Sequence, residues 1–184
     1  MGSVVSLFSA QKETITAVDH VNFDIGQGEL VGYLGPNGAG KSTTIKMLTG
    51  ILVPTSGRVL VDGIDPEKDR RAVARKIGVV FGQKTQLWWD LPVEESFDLL
   101  RAVYRIPGAE YKKRLNFFIE LLDMKDFLSQ QARKLSLGQR MRADLAASLL
   151  HRPPILFLDE PTSGLDTFTA YSVMKCLSQL AKQG

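Results

Sequence analysis

Eight residues, Gly35, Pro36, Asn37, Gly38, Ala39, Gly40, Lys41 and Ser42, hold the densest chemistry in this 184-residue chain. They fit the spacing G-x-x-x-x-G-K-[ST], that of a loop whose backbone cradles phosphate groups. Glycine lets the main chain turn tightly and come close to a ligand, so that successive amides can point at one anion. Thr43 leads into a helix-favouring run whose unsatisfied first-turn amides and positive dipole end favour negative charge at the same spot. Lys41 adds a full positive charge. Ser42 adds a hydroxyl oxygen, a hard ligand suited to the magnesium that accompanies a nucleoside triphosphate.

Two further groups could join such a site. Ile155, Leu156, Phe157 and Leu158 end in the carboxylates of Asp159 and Glu160. A buried parallel strand gives a run of this kind, and its C-terminal end is where α/β sheets bind ligands. Side chains alternate along a strand, so one acid can serve a metal shell while the next orients or deprotonates a water. Leu135-Ser136-Leu137-Gly138-Gln139 precedes a strong helix former. Ser136 and Gln139 stand at capping-box spacing, so this motif can simply start a helix; the glycine at that start also allows a second anion site.

These groups need a scaffold. Glu29 to Leu34 reads as a buried strand feeding the phosphate loop, and Ala17 to Ile25 as a weaker strand before it. Arg58 to Val61 predicts a short strand closed by Asp62-Gly63, residues 65–76 a surface helix, and Ile77 to Phe81 a buried strand ending near Gln83. Val93, Phe97, Leu100 and Tyr104 share one helical face, and Leu115, Phe118, Ile119 and Leu122 share another. Two helices without a strand between them interrupt an alternating βα order, which argues for a helical insertion.

Composition sets outer limits. The chain is 44% hydrophobic and 23% charged, enough to bury a core, and its net charge is only +3. Basic residues such as Arg70, Lys112, Arg133 and Arg142 are scattered, which argues against nucleic acid as a partner. The longest apolar stretch is broken at residues 151–154, so no segment reaches a membrane span, and the first ten residues lack a secretory pattern. The single cysteine, Cys176, excludes an internal disulfide and reads as a small packing residue. Trp88 and Trp89 suit either core packing or a docking surface.

The phosphate loop, LSLGQ, ILFLDEP and the following Ser163-Gly164-Leu165-Asp166, in this order, closely resemble the nucleotide-binding subunit of ATP-binding cassette transporters. GPNGAGKSTT and ILVPTSGRVLVDG are most similar to ATPase subunits of ABC-2 type exporters. The resemblance implies an α/β P-loop NTPase core with a mostly parallel sheet, a small antiparallel β flank and an inserted helical subdomain. Residues 1–92 would form the first part of the ATP-binding core, 93–134 the helical subdomain, and 135–184 the part with the signature and acidic strand. Residues 35–43 would hold ATP, with Lys41 on its β- and γ-phosphates. Ser42, Gln83 and Asp159 would serve Mg2+, and Glu160, with Gln83 beside it, the hydrolytic water. Ser136, Gly138 and Gln139 would close on ATP held by a second subunit in a head-to-tail dimer, with Asp166 communicating across it. The partners implied are that second subunit and a transmembrane permease, with the chain cytoplasmic and peripheral on the inner face of the membrane.

Three departures stand out. Leu137 occupies a position where the family commonly has glycine. The family's adenine-stacking aromatic, expected near the N-terminus, has no clean counterpart here, Phe8 being the candidate. The family expects a strand and a switch histidine after the helix that follows Asp166, whereas this sequence ends at Gly184, so the resemblance implies a missing C-terminal part. Neither His20 nor His151 is that histidine. A truncated module with little ATPase activity and a non-transport ABC ATPase are the rival readings.

Overall fold

The computed structural model of the protein describes residues 15–82 and 84–181. At its centre two strands pair in parallel: β1 (Ile77–Phe81) lies against β2 (Ile155–Asp159), in register from Ile77 opposite Ile155 to Phe81 opposite Asp159. A parallel pair needs a long crossover, and helices supply it here. Before β1 come α1 (Lys41–Leu48) and α2 (Arg70–Lys76); between the strands come α3 (Val93–Tyr104), α4 (Gly108–Leu121) and α5 (Leu137–Leu149); α6 (Thr167–Ala181) follows β2. Strand β2 is half-buried along its whole length, less covered than its apolar run predicts.

The helices between the strands follow their apolar stripes. Val93 and Phe97 are fully buried, Leu100 nearly so, and Tyr104 packs against the same cluster; on α4 Phe118 is buried with Leu122 just past its end. Each such side chain contributes roughly 1.5–3 kcal/mol of burial free energy. The cluster continues through Val80 of β1 into Met141, Leu145 and Leu150, so α5 leans on the sheet as well as on α3. Cys176 is buried in it, and burial pushes its thiol up to about 11, which makes it a packing group. No described helix is long and apolar enough to cross a membrane.

Upstream of α1 the structure departs from expectation. The strands predicted at Ala17 to Ile25 and Glu29 to Leu34 do not form, and with them the antiparallel flank is absent among the described residues. Leu30 and Leu34 are almost fully exposed, and the backbone bond of this stretch is a turn, Glu29 N donating to Gly26 O at 3.3 Å. A strand is made by its neighbours, and among the described residues no ladder reaches this stretch. Val61 likewise pairs only with Ile64, across a tight turn in which Asp62 and Gly63 both have positive φ, so the strand predicted at Arg58 is reduced to a hairpin tip. Helix α2 begins at Arg70 rather than Asp65, because the Asp69 carboxylate accepts from Ala72 N and caps it there.

Candidate phosphate site

The phosphate loop turns into α1 at Gly40, which has φ 80°. A Cβ on Gly40 would lie 2.2 Å from Ala17 O, so both its backbone angle and its close neighbour demand glycine. The first helical bond runs from Thr44 N to Gly40 O at 2.8 Å, and the amides of Lys41, Ser42 and Thr43 precede it. No acidic residue occupies this first turn, so the dipole end stays positive. Lys41 Nζ donates to Gly35 O at 2.6 Å and to Pro36 O at 2.8 Å, which holds the ammonium over its own loop. Phosphate oxygens are stronger partners for an ammonium than neutral carbonyls are.

Residues 117 positions apart meet at the base of this loop: Ser42 Oγ donates to Asp159 Oδ1 at 3.0 Å. Strand β2 delivers Asp159 there, and parallel pairing with β1 fixes its height. A hydroxyl and a carboxylate brought to one place are hard oxygen donors of the kind magnesium takes, so the donor set fits that ion. Groups of three or more His, Cys, Asp or Glu able to hold a metal are absent among the described residues. Magnesium tolerates this, since it keeps water and phosphate in most of its coordination positions.

Glu160 follows at the exposed end of β2 with φ 52°, an unusual angle for a side chain of its type, and its carbonyl accepts from Ser163 N at 3.0 Å in the next turn. Five other described non-glycine residues share this region, so the angle belongs to the turn that follows β2. Gln83 lies outside the described residues, as does Phe8. Of the residues on either side of Gln83, Gly82 N donates to Asp159 O at 2.9 Å and Lys84 N to Phe81 O at 3.0 Å.

The LSLGQ segment has its helix-starting form. Gln139 N donates to Ser136 Oγ at 3.2 Å and Ser136 N to Gln139 Oε1 at 2.9 Å, a complete capping box at the start of α5. Gly138 sits against α6: a Cβ there would be 2.9 Å from Thr169 Cγ2. Asp166 caps that second helix, accepting from Thr169 N at 3.0 Å and from Thr169 Oγ1 at 2.6 Å. Ser136, Gly138, Gln139 and Asp166 are thus gathered at one place. Among the described residues no hydrogen bond joins residues 35–43 to residues 136–139.

Sequence reasoning missed Asp144. It is 4% exposed on α5, and its Oδ1 accepts from Gln86 N at 2.8 Å and Thr85 Oγ1 at 2.9 Å. Burial pushes its carboxyl up to about 6, against the opposing pull of those two bonds and of Arg140. One acid within Ala143, Leu145, Ala146 and Ala147 was the available signal. His151 stacks on Tyr104, with centroids 3.9 Å apart, and its Nε2 is 3.1 Å from Ile77 O. Burial pushes its imidazole down, as expected of a packed loop histidine. Trp88 and Trp89 are about half exposed, with the Arg140 guanidinium 4.8 Å from the centre of the Trp89 ring, so neither is a core residue.

A glycine loop running into a helix, with a strand-borne carboxylate meeting its serine, defines a P-loop α/β protein. The family described as ABC transporter matches residues 18–163, and the chain belongs to it. It is similar to the probable multidrug ABC transporter ATP-binding protein YbhF of Escherichia coli, at 41% identity over 91% of this chain and 29% of that protein. It also matches the methionine import ATP-binding protein MetN of Geobacillus kaustophilus, at 35% identity over 98% of this chain and 54% of that protein. The chain therefore spans about half or less of the length of these two relatives. In three dimensions it matches the dimeric bacterial ABC transporter cassette MJ0796 with a TM-score of 0.80 at 33% identity, covering 91% of this chain and 75% of that one.

Proposed function

We propose that this chain is the ATP-binding part of an ABC exporter, coupling ATP binding and hydrolysis to a separate transmembrane permease. The contact that carries the reading is Ser42 Oγ to Asp159 Oδ1, which joins the phosphate loop to the acidic strand with two hard oxygen donors side by side. Export is the direction supported by the likeness of GPNGAGKSTT and ILVPTSGRVLVDG to ATPase subunits of ABC-2 type exporters. Residues 35–43 bind the triphosphate, with Lys41 exchanging its loop carbonyls for phosphate oxygens. Ser42, Asp159 and Gln83 would hold Mg2+, which when bound screens phosphate charge during attack at the γ-phosphorus. Glu160 orients the attacking water and accepts its proton.

Ser136, Gly138 and Gln139 complete the site of a second subunit in a head-to-tail dimer, a reading supported by the dimeric relative of similar fold. Residues 93–134 act as a helical subdomain between the two parts of the ATP-binding core, 1–92 and 135–184. The working place is the inner face of the membrane, against the permease. In the full-length protein with its permease, Glu160→Gln is expected to retain MgATP binding and to lose turnover by about 100-fold. Turnover unchanged by that substitution refutes the role given to Glu160.

A further inference from the structure

The segment that follows β1 is held from two directions. On the sheet side, Gly82 N donates to Asp159 O at 2.9 Å, and the Gln86 side-chain amide donates to Val79 O at 2.5 Å. On the helix side stands Asp144, whose single oxygen Oδ1 takes both Thr85 Oγ1 and Gln86 N. Thr85 Oγ1 also accepts from Leu87 N at 3.1 Å, so the hydroxyl that Asp144 holds in turn shapes the next turn of chain. These anchors bracket Gln83. Asp144 lies on the same rigid helix whose start presents Ser136 and Gly138, about 12 Å along its axis from Ser136 at 1.5 Å per residue. A carboxylate so nearly excluded from water is expensive to keep, and Thr85 and Gln86 are the groups that it serves.

We infer that Asp144 is a positioning residue for turnover, fastening residues 85–87 of the segment after β1 to the helix that presents the LSLGQ motif, so that a shift of either moves the other. The inference rests on the ATPase reading proposed above. It does not place Asp144 in contact with ATP or water.

The test compares the full-length protein with its permease as wild type, Asp144→Ala, Asp144→Asn and Thr85→Val, measuring ATP affinity, kcat and thermal melting for each. Asp144→Ala is expected to lower kcat by about 10-fold or more while ATP affinity changes by less than about 3-fold. Asp144→Asn keeps an acceptor for both bonds and is expected to restore most of kcat. Thr85→Val, which removes one of the two bonds to Asp144 together with the Leu87 N bond but leaves the carboxylate held by Gln86 N, is expected to lower kcat several-fold with a modestly lower melt, and assays well below that melt decide the matter if Asp144→Ala does not fold. Wild-type kcat in Thr85→Val, no rescue by Asn, or a loss of affinity that matches the loss of kcat overturns the inference. Absence of turnover in the wild type refutes the ATPase reading, and this inference with it; turnover in the wild type and in Asp144→Ala alike refutes the inference alone.

Discussion

Asp144 keeps a carboxyl group away from water, and its proton balance follows from that. Its ordinary value of 3.8 rises to about 6 in the fold, chiefly through burial. The folded chain thus holds this proton more tightly than the unfolded one. The resulting contribution to stability is complete below about pH 4 and is lost as pH rises through 6. A shift of about two units corresponds to about 3 kcal/mol. Unfolding by urea should therefore show Asp144→Asn gaining about 2 kcal/mol relative to wild type between pH 4 and pH 7, most of the whole effect; a difference constant across that range contradicts the assignment. His151 works in the opposite sense, since burial lowers its value from 6.5 and its contribution is lost as pH falls. It is common to both proteins and cancels in the comparison. Residues tied to a spacing rule, such as Lys41, Ser42 and Asp159, could be read in the sequence. For Asp144 the apolar neighbours signal burial, but nothing local in the sequence announces a partner 58 positions away.

At the scale of elements, the junction of α5 with α6 is the most sharply constrained. Alanine in place of Gly138 would gain about 1 kcal/mol of helix propensity but meet Thr169 Cγ2, at a packing cost of about 1–3 kcal/mol. Gly138→Ala is therefore expected to destabilise wild type and to stabilise a Thr169→Ala background, measured as a double-mutant cycle of melting free energies. The same sign in both backgrounds would show that the two helices do not press on each other there. Helices α3 and α4 were legible because their apolar residues recur at helical spacing and find each other within one connected cluster. The stretch Ala17 to Leu34 was not, because alternation states which face a strand would bury and not which strand would pair with it. The start of α2 was missed for a smaller reason: Asp65-Pro66 is a good opening, but Asp69 makes the cap.

For the molecule as a whole, one set of site residues meets at residues 35–42 with Asp159, and another at the start of α5 with Asp166. The LSLGQ segment reads equally well as a helix cap and as an anion site, and the structure has the cap without excluding the second use, since Ser136 remains exposed. In the proposed head-to-tail dimer the two sets work on one ATP only when they come from different subunits. Full-length Lys41→Ala lacks a working phosphate loop, and full-length Ser136→Arg lacks a working signature; each alone should be inactive. Mixed and allowed to exchange, they form heterodimers in which the intact loop of one faces the intact signature of the other. Random pairing should then restore about a quarter of wild-type ATP turnover. Turnover that stays at background after mixing, or full activity in either variant alone, would contradict a site shared between subunits.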